Sequence, residues 1–377
     1  MIDLGLVAGE ASGDLLGAHF VAALKQNHPH LRTAGIAGPR MVEAGVEAIY
    51  PSDKLAVNGY VEVLRHLPEL LWIRSRITRC FLRERPRVFV GIDAPDFNFT
   101  LETQLRQAGI PTVHFVSPSI WAWRPERIHR IKQAVSHMLV VFPFEERIYQ
   151  DAGIPVSYVG HPLADVIPLE PDTAAARAAL GLAPGPVFAL LPGSRLSEVT
   201  RHARLMLDAA VRIRQRQADA QFVLPAANDA AARVVRAAMR ELHLPLHILD
   251  GQSHLALAAC DVALVASGTA TLEAALFKKP MVITYRVPAL TAHLMRKKAL
   301  LPWIGLPNIL ARDFVVPERV QEAATAEALA ADALAWLDDM PRQHAAIETF
   351  RTMHLNLRQD ASARIAEAVQ PYLEARA

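Results

Sequence analysis

Short apolar runs that alternate with longer amphipathic stretches constrain the fold of this chain more than any other feature. The run Ile2–Ala8 precedes a helical pattern from Leu15, and Val88–Ile92 precedes another from Leu101. This alternation predicts a parallel β-sheet that is covered by helices on both faces. The sequence therefore predicts an α/β protein with two doubly wound, Rossmann-like lobes, because the pattern starts again in the runs Pro186–Leu191, Gln221–Leu224, His247–Leu249, Val262–Val265 and Pro280–Tyr285.

A segment dense in proline and glycine, Tyr158–Pro171, separates the two sets of runs and predicts a hinge. We expect an N-terminal lobe at residues 1–165, a C-terminal lobe at 166–340, and an alanine-rich helical tail at 341–377 that packs back on a lobe. Ligands of doubly wound folds bind at the carboxyl ends of the strands. We therefore expect the functional residues in the turns that follow the strands, where the two sheets face each other across a cleft.

Composition excludes several classes of protein. The chain is 52% hydrophobic with a mean hydropathy of +0.17, but no uninterrupted apolar run approaches the roughly 20 residues that span a bilayer. Two cysteines, Cys80 and Cys260, cannot make a disulfide framework or a Cys-x-x-Cys metal site, which fits a reducing compartment. Asp3 stands where a secretory signal has basic residues, and a net charge of +2 does not indicate nucleic acid binding. We expect a cytoplasmic protein.

One turn of the C-terminal lobe has residues suited to a phosphate. Gly193 lets backbone N–H groups approach an anion, and Ser194 can donate a hydrogen bond to it. Arg195 completes the turn, because its guanidinium fork matches two phosphate oxygens. The alternative for this segment is a solvated loop with an exposed arginine.

A second turn, after the run Val262–Val265, has Ser267, Gly268 and Thr269 at the start of a predicted helix, where free N–H groups and the helix dipole favour an anion. Glu273 lies about one helical turn further on, within reach of ribose hydroxyls. Alternatively, Ser267 is an N-cap and Glu273 its capping partner. Together the two turns predict a nucleoside diphosphate site. No Asp-x-Asp pair or His/Asp cluster indicates a metal, and we expect neither a metal nor a cofactor.

Carboxylates mark the turns of the N-terminal lobe. Glu10, Ser12 and Asp14 follow the first predicted strand. The spacing of the glycines here departs from a dinucleotide fingerprint, and the carboxylates would repel a pyrophosphate. A sugar with several hydroxyl groups suits these residues better, so we expect them to bind an acceptor.

A second carboxylate pair, Asp93 and Asp96, follows the run Val88–Ile92. Asp93 ends the strand and is the predicted general base, while Asp96 is placed to cap the next helix or to contact the acceptor. Asn98 in the same segment adds a polar contact for the acceptor. A purely structural N-cap role for both aspartates is the alternative.

The segment after the run Thr112–Val116 combines two tryptophans with serines and an arginine. A buried tryptophan needs an apolar surrounding and a hydrogen-bond partner, so two of them in a polar loop are hard to explain as core. We expect this segment to line a channel for the acceptor, through Ser117, Ser119, Trp121 and Trp123.

Eight segments, in order along the whole chain, resemble those of the lipid-A-disaccharide synthases, a family of glycosyltransferases with the GT-B fold. The segments at Asp93 and Trp121 are the most specific, since loops like that at Ser267 occur in many GT-B families. The eight segments are Val7–Asp14, Ala37–Met41, Val90–Asn98, Val116–Arg124, Gly160–Pro162, Leu190–Arg195, Ala266–Glu273 and Leu306–Asn308.

The resemblance implies an inverting transfer that joins UDP-2,3-diacylglucosamine to 2,3-diacylglucosamine 1-phosphate. The products are the β-1,6-linked lipid A disaccharide 1-phosphate and UDP. In that reaction Asp93 takes the proton of the acceptor 6-hydroxyl, and Arg195 with the helix start at Ser267–Thr269 stabilises the charge that develops on UDP. The resemblance also implies that Asn308 makes a polar contact near the donor.

Substrates with acyl chains imply work at a membrane surface, which here is the cytoplasmic face of the inner membrane. The segment Glu62–Arg87 is basic and amphipathic, as a helix in the headgroup layer would be, although an ordinary surface helix is the alternative. His293–Ile304 also mixes cations with apolar residues. The helical tail suits exchange between two copies, so a homodimer through the tail is a further expectation.

Three other functions are compatible with the same plan of two lobes. A peptidoglycan UDP-N-acetylglucosamine transferase would favour a glycine-rich first loop, which Glu10 and Asp14 argue against. A UDP-sugar 2-epimerase is the second alternative, and a non-catalytic UDP-sugar-binding module is the third. The carboxylates Asp93 and Asp96 favour chemistry over binding alone.

Overall fold

The computed structural model describes residues 2–9, 11–55, 60–240, 242 and 244–375. The chain divides into two compact units. The first unit is Met1–Asp165 with Leu357–Ala377, and the second unit is Val166–Asn356. Both are parallel-sheet α/β domains, as the alternating runs of the sequence predict, and this prediction is confirmed.

A parallel sheet of seven strands forms the centre of the first unit within the described residues. Its strands are β1 Leu4–Ala8, β2 Thr33–Ala37, β3 Val46–Pro51, β4 Val88–Ile92, β5 Thr112–Phe115, β6 His137–Val140 and β7 Val156–Tyr158. Its helices are α1 Ala11–Asn27, α2 Pro39–Glu43, α3 Tyr60–Glu84, α4 Pro95–Gln107, α5 Ile120–Trp123, α6 Ile128–Ala134, α7 Glu145–Asp151 and α8 Pro162–Val166.

The strand order of this sheet is β3-β2-β1-β4-β5-β6-β7. Leu4 of β1 pairs with Thr33 on one side and with Val88 on the other. The order reverses between β1 and β4, so the turns after these two strands flank the topological switch point. Both strands are buried along their whole length, which explains why they read as continuous apolar runs.

The second unit contains a parallel sheet of six described strands. They are β8 Val187–Leu191, β9 Gln221–Ala226, β10 Leu246–Asp250, β11 Val262–Ala266, β12 Met281–Tyr285 and β13 Glu318–Val320. The helices from this point of the chain onward are α9 Thr173–Ala179, α10 Leu196–Arg216, α11 Asp229–Met239, α12 Ser253–Ala259, α13 Thr269–Leu276, α14 Ala289–Lys298, α15 Leu306–Ala311, α16 Ala326–Asp338, α17 Met340–Leu357 and α18 Ala361–Glu374.

The order of the second sheet is β10-β9-β8-β11-β12-β13, and it reverses between β8 and β11. Phe188 of β8 pairs with Val262 of β11. The turn that begins at Pro192 and the turn that begins at Ser267 therefore leave neighbouring strands at the same edge. The fold brings the two predicted phosphate turns together at the switch point of this sheet.

The C-terminal helix α18 packs on α1 within the first unit. Its buried face includes Ile365, Val369 and Leu373. Side chains of the first unit hydrogen-bond to the backbone at both ends of α18. The Asp165 carboxylate accepts from Ala361 N at 2.7 Å, and Arg87 donates to the Leu373 carbonyl at 2.9 Å. Among the described helices, none is both long enough and apolar enough to cross a bilayer.

Candidate functional site

Two turns of the first unit come into close contact at its switch point. A Cβ on Gly9, after β1, would lie 2.6 Å from the Cβ of Ala94, after β4. Only glycine therefore fits at position 9. Asp93 directly follows β4 and is partly buried beside this contact.

The backbone of Asp93 and Ala94 is left-handed, with φ of +51° and +44°. Asp tolerates this region better than most residues, whereas Ala does not, so the turn is strained. Two hydrogen bonds hold it: Asp93 N donates to the Phe115 carbonyl at 2.9 Å, and Asn98 Nδ2 donates to the Asp93 carbonyl at 2.8 Å. Asn98 is fully buried, so it supports the turn from below rather than lining a surface.

A buried acid–imidazole pair lies on the same face of α4 as Asn98. Glu102 Oε1 and His114 Nδ1 are 2.7 Å apart, and neither side chain is exposed. Burial raises the pKa of the Glu102 carboxyl, and the neighbouring His114 partly offsets this. A Cβ on Gly91 would lie 2.2 Å from Glu102 Oε1, so the glycine makes room for the pair.

Asp96 lies in the first turn of α4, but it is not the N-cap. The N-cap is Ala94, and no side chain caps this helix. The predicted capping role of Asp96 is therefore wrong, because the left-handed turn starts the helix earlier in the chain, at Pro95. Its carboxylate, 78% exposed, instead accepts from Arg127 Nη2 at 2.5 Å.

Asp14 is buried and bonded to backbone. Its carboxylate accepts from the N–H groups of Gly38, Arg40 and Met41 at 2.9 to 3.0 Å, and so caps α2. A carboxylate with three backbone donors is strongly held and has little capacity left for a sugar. Glu10 and the side chain of Ser12, which were also predicted in this turn, lie outside the described residues.

The predicted tryptophan segment is built on a buried glutamate that the sequence analysis missed. Glu145, at the start of α7, accepts from Trp121 Nε1 at 3.0 Å and from Phe142 N at 3.1 Å. Ser117 Oγ, also buried, lies 2.6 Å from the Tyr149 hydroxyl. Trp121 thus has the hydrogen-bond partner that a partly buried indole needs.

The other two predicted residues of this segment reach the surface. Ser119 is exposed, and Trp123 is stacked with the Arg124 guanidinium at 4.1 Å from the ring centroid. A groove of about 630 Å³ runs beside Trp121, with Ile120, Ile128 and Ile148 in its walls. Its exposed surface is mostly apolar, although His129, Lys132 and Asp151 also line it, and a groove of this size has room for a hydrocarbon chain.

Glu145 makes a testable pH dependence. Burial raises the pKa of its carboxyl from 4.5 to about 7, against the hydrogen bond from Trp121. Between pH 4.5 and pH 7 the Glu145 carboxyl is ionised in the unfolded chain but still protonated in the folded protein. The contribution of Glu145 to the free energy of unfolding is therefore full below about pH 4.5 and is lost as the pH rises through 7. From pH 5 to pH 8 the free energy of unfolding should fall by about 2–3 kcal/mol more in the native protein than in Glu145→Gln. Urea unfolding at both pH values measures the free energy of unfolding. An equal change between pH 5 and pH 8 in the native protein and in Glu145→Gln would contradict the prediction.

In the second unit, the turn after β8 requires its glycine. Gly193 has φ of +117°, and a Cβ there would lie 2.6 Å from the Cβ of Glu198. Ser194 is exposed, and Arg195 is the N-cap residue of α10. The Arg195 guanidinium is about half exposed and lies 3.2 Å from Glu198 Oε1. Glu198 therefore holds the arginine at this turn.

His202 braces this turn from beneath and was not predicted. The fully buried ring donates from Nδ1 to the Pro192 carbonyl at 3.2 Å and accepts at Nε2 from Arg286 N at 2.9 Å. This pattern requires the neutral imidazole, which is consistent with burial lowering its pKa. His202 thus ties the turn after β8 to the end of β12.

The turn after β11 does not have the capping pattern that was the alternative to an anion site. Gly268, with φ of +153°, is the N-cap of α13, while Ser267 Oγ donates to the Ile304 carbonyl at 2.8 Å. Glu273 pairs with His254 at 3.4 Å rather than with the cap. The alternative in which Ser267 is the N-cap is therefore wrong, and Thr269 is exposed at the first position of the helix. Its N–H group, like any at a helix start, has no partner within the helix.

Asn308, expected near the donor, is fully buried and fully bonded. Its Nδ2 donates to the Val316 carbonyl and to Glu318 Oε1, at 2.9 and 2.8 Å, and its Oδ1 accepts from Val316 N. Glu318 also accepts from the N–H groups of Ile304 and Gly305 at 2.9 Å. This network fixes the loop that carries the Ile304 carbonyl, the acceptor for Ser267. In the part of the chain that the structure describes, no three His, Cys, Asp or Glu side chains form a metal-binding group.

Comparison with known proteins decides the family. The model of the lipid-A-disaccharide synthetase family matches residues 4–370. The chain belongs to the lipid-A-disaccharide synthase family. The synthase of Thiobacillus denitrificans is 78% identical over 370 residues, which cover 98% of this chain and 100% of that protein. The synthase of Methylobacillus flagellatus is 51% identical, covering 99% of this chain and 100% of its own.

Solved structures support the fold at much lower identity. The UDP-GlcNAc 2-epimerase of Neisseria meningitidis, bound to UDP-GlcNAc, matches with a TM-score of 0.65 at 13% identity, over 98% of this chain and 100% of that one. MurG of Acinetobacter baumannii matches with a TM-score of 0.58 at 12% identity, with the same coverage. Identity this low shows the GT-B fold alone. The family match therefore decides between the synthases and these alternatives, and the chain is a glycosyltransferase that makes lipid A disaccharide.

Proposed function

We propose that this synthase transfers diacylglucosamine from UDP-2,3-diacylglucosamine to the 6-hydroxyl of 2,3-diacylglucosamine 1-phosphate. The observation that carries the proposal is the chemistry of the two switch points. The first offers a carboxylate, Asp93, and the second offers a guanidinium, Arg195, beside the exposed helix start at Thr269. An inverting transfer needs these two elements, a base for the acceptor and positive charge for the leaving group.

In the proposed step, the Asp93 carboxylate accepts the proton of the acceptor 6-hydroxyl. The hydroxyl oxygen forms a bond to C1 of the donor sugar, and the bond between C1 and the UDP oxygen breaks with its electron pair going to UDP. Arg195, Ser194 and the N–H groups at Gly268 and Thr269 stabilise the negative charge that develops on the diphosphate. Glu273 contacts the ribose hydroxyls.

The residues divide into contacts and supports. We assign acceptor contacts to Asp96, Ser119, Trp121 and Trp123, which are exposed or partly buried, and an acyl chain to the groove beside Trp121. Asp14, Asn98 and Ser117 are buried and bonded, so we assign them to holding the turns. Asn308 is a support on the donor side for the same reason. Residues 1–165 thus form the acceptor lobe and 166–340 the donor lobe of this proposal.

The location of the enzyme follows from its substrates, because both carry acyl chains. We assign it to the cytoplasmic surface of the inner membrane. Exposed apolar side chains beside cations support this in each unit: Leu71 and Trp72 on α3, and Leu294 and Met295 next to Arg296–Lys298 on α14. We also propose a homodimer in which two copies exchange α18, and sedimentation over a concentration series would detect it.

One assay tests the reaction. UDP release from UDP-diacylglucosamine should require the acylated acceptor, and the disaccharide should appear in equal amount by mass spectrometry. Release without acceptor would indicate hydrolysis or epimerisation instead, and donor binding without release would indicate a binding module. The rate should be unchanged in a chelator, because Arg195 and a helix terminus supply the positive charge. If a chelator abolished the activity and magnesium restored it, the proposal that Arg195 and a helix terminus supply the positive charge would be wrong.

A further inference from the structure

A groove outside the proposed active site lies between α3 and α4. Its volume is about 240 Å³, and its walls include Arg74, Ser75, Arg79 and Leu82 of α3 with Thr100 and Gln104 of α4. The α3 residues recur at helical spacing, so one continuous face of α3 forms one wall. Guanidinium groups, hydroxyls and an amide therefore face a common space that is open to solvent.

Among the described residues, cations gather at this groove without an acid that forms an ion pair with them. Arg130 donates to Thr100 Oγ1 at 2.8 Å, and the Arg74 guanidinium, partly buried, reaches the Asp96 carbonyl at 3.4 Å. Within the described residues, no carboxylate lies within ion-pair distance of Arg74, Arg79 or Arg130, since the ion pairs nearby are Asp96–Arg127, Glu69–Lys54 and Glu102–His114.

Like charges held together in this way favour an anion between them. Burial lowers the pKa of the Arg74 guanidinium, and the charge of Arg130 lowers it further. Both costs diminish when an anion accepts hydrogen bonds from the groove. Guanidinium forks match the paired oxygens of a phosphate group, and the hydroxyls of Ser75 and Thr100 are suited to the same ligand.

Exposed apolar side chains next to the groove favour the phosphate of a lipid over a free phosphate ion. Leu71 is 44% exposed and lies one turn before Arg74 and Ser75. Trp72, 51% exposed, lies under the Arg76 guanidinium at 5.1 Å from its ring centroid. Exposed tryptophan and leucine beside arginine are typical of side chains at the boundary between headgroups and acyl chains.

We propose that the groove between α3 and α4 binds the phosphate of an anionic membrane phospholipid, with Arg74 and Arg79 on the phosphate and Leu71 and Trp72 against the acyl region. The inference rests on the proposed membrane location and names the residues that produce it. The groove begins beside Asp96, whose carbonyl accepts from Arg74, and extends along α4 to Gln104. In this proposal the lipid phosphate lies along α4, and the acceptor lies at the Asp93 turn.

Vesicle flotation of the full-length protein, without substrates, tests the proposal. Vesicles of phosphatidylcholine with phosphatidylglycerol should bind the native protein more tightly than vesicles of phosphatidylcholine alone. The variant Arg74→Gln/Arg79→Gln should lose roughly tenfold more affinity for the anionic vesicles than the control Arg83→Gln/Arg85→Gln. The control removes the same charge from the end of α3 and the residue after it, at exposed positions that do not line the groove.

Each of the other outcomes contradicts either the proposed membrane location or the proposed lipid site in the groove. If the native protein does not prefer anionic vesicles, the proposed membrane location fails. If both variants lose equal affinity, only general charge acts and the groove proposal fails. Inorganic phosphate at constant ionic strength should not displace the vesicles, since displacement would make the groove a site for small anions. A raised acceptor KM in detergent with vesicle binding intact would assign the groove to the acceptor phosphate instead.

Discussion

Asp93→Asn should lower kcat by at least about 100-fold and leave the affinity for UDP nearly unchanged. The amide has the shape of the carboxylate but cannot accept the proton of the acceptor hydroxyl. Asparagine also tolerates the left-handed backbone at this position, where φ is +51°, so the turn and its bonds to Phe115 and Asn98 should persist. Steady-state UDP release gives kcat, and calorimetry with UDP gives the affinity.

Asp96→Asn is the matched control. Its carboxylate lies three residues away, is exposed, and pairs with Arg127. As an acceptor contact it should raise the acceptor KM several-fold and change kcat little, because a hydrogen bond made equally in the ground and transition states affects binding rather than turnover. If Asp93→Asn retained near-native kcat while Asp96→Asn lost it, Asp96 would be the base.

The fold was predictable where strands that are buried on both faces consist mainly of large apolar residues. Val88–Ile92 and the other continuous apolar runs match strands of the two sheets, because such strands need apolar residues at every position. The strand β2, Thr33–Ala37, was missed because it is built from small residues. A Cβ on its Gly35 would lie 1.7 Å from the Leu6 carbonyl oxygen, so close packing of the backbone replaces large side chains there.

The residues at which helices start were less predictable than the strands. The capping roles considered for Asp96 and Ser267 were wrong for this reason. Asp96 and Ser267 are good capping residues by type, yet α4 begins after Ala94 and α13 after Gly268. In both turns the unusual backbone of the switch point decides where the helix starts. Local propensity cannot show this, since it reports what a residue prefers and not the conformation that the sheet imposes.

Long-range polar partners were the largest omission. Glu102, Glu145 and His202 each sit on a helix face that the sequence pattern marks only as amphipathic. Their partners are 10 or more residues away: His114 for Glu102, Trp121 for Glu145, and the Arg286 backbone for His202. Gly91 was the one available signal, because a glycine inside a buried strand indicates that another group approaches closely. Here that group is the Glu102 carboxylate.

Arg195→Gln should weaken UDP binding by about tenfold to 100-fold and also lower kcat by about 100-fold or more. Hydrogen bonds from a charged group to the diphosphate stabilise bound UDP, and they strengthen as negative charge develops on the leaving group. Glutamine keeps part of the length of the side chain but has neither the charge nor the fork. UDP calorimetry and steady-state UDP release separate the two effects.

Two further variants make this prediction specific. Arg204→Gln removes an arginine from the same helix, where it pairs with Asp208 on the surface, and should change neither quantity. Glu198→Gln frees Arg195 from its partner at 3.2 Å. If Glu198 only competes with the diphosphate, UDP should bind more tightly, and if it positions the guanidinium, both UDP affinity and kcat should fall. Native UDP binding and native kcat in Arg195→Gln would leave the turn after β8 without its role, and the helix start at Gly268 and Thr269 would then have to hold the diphosphate alone.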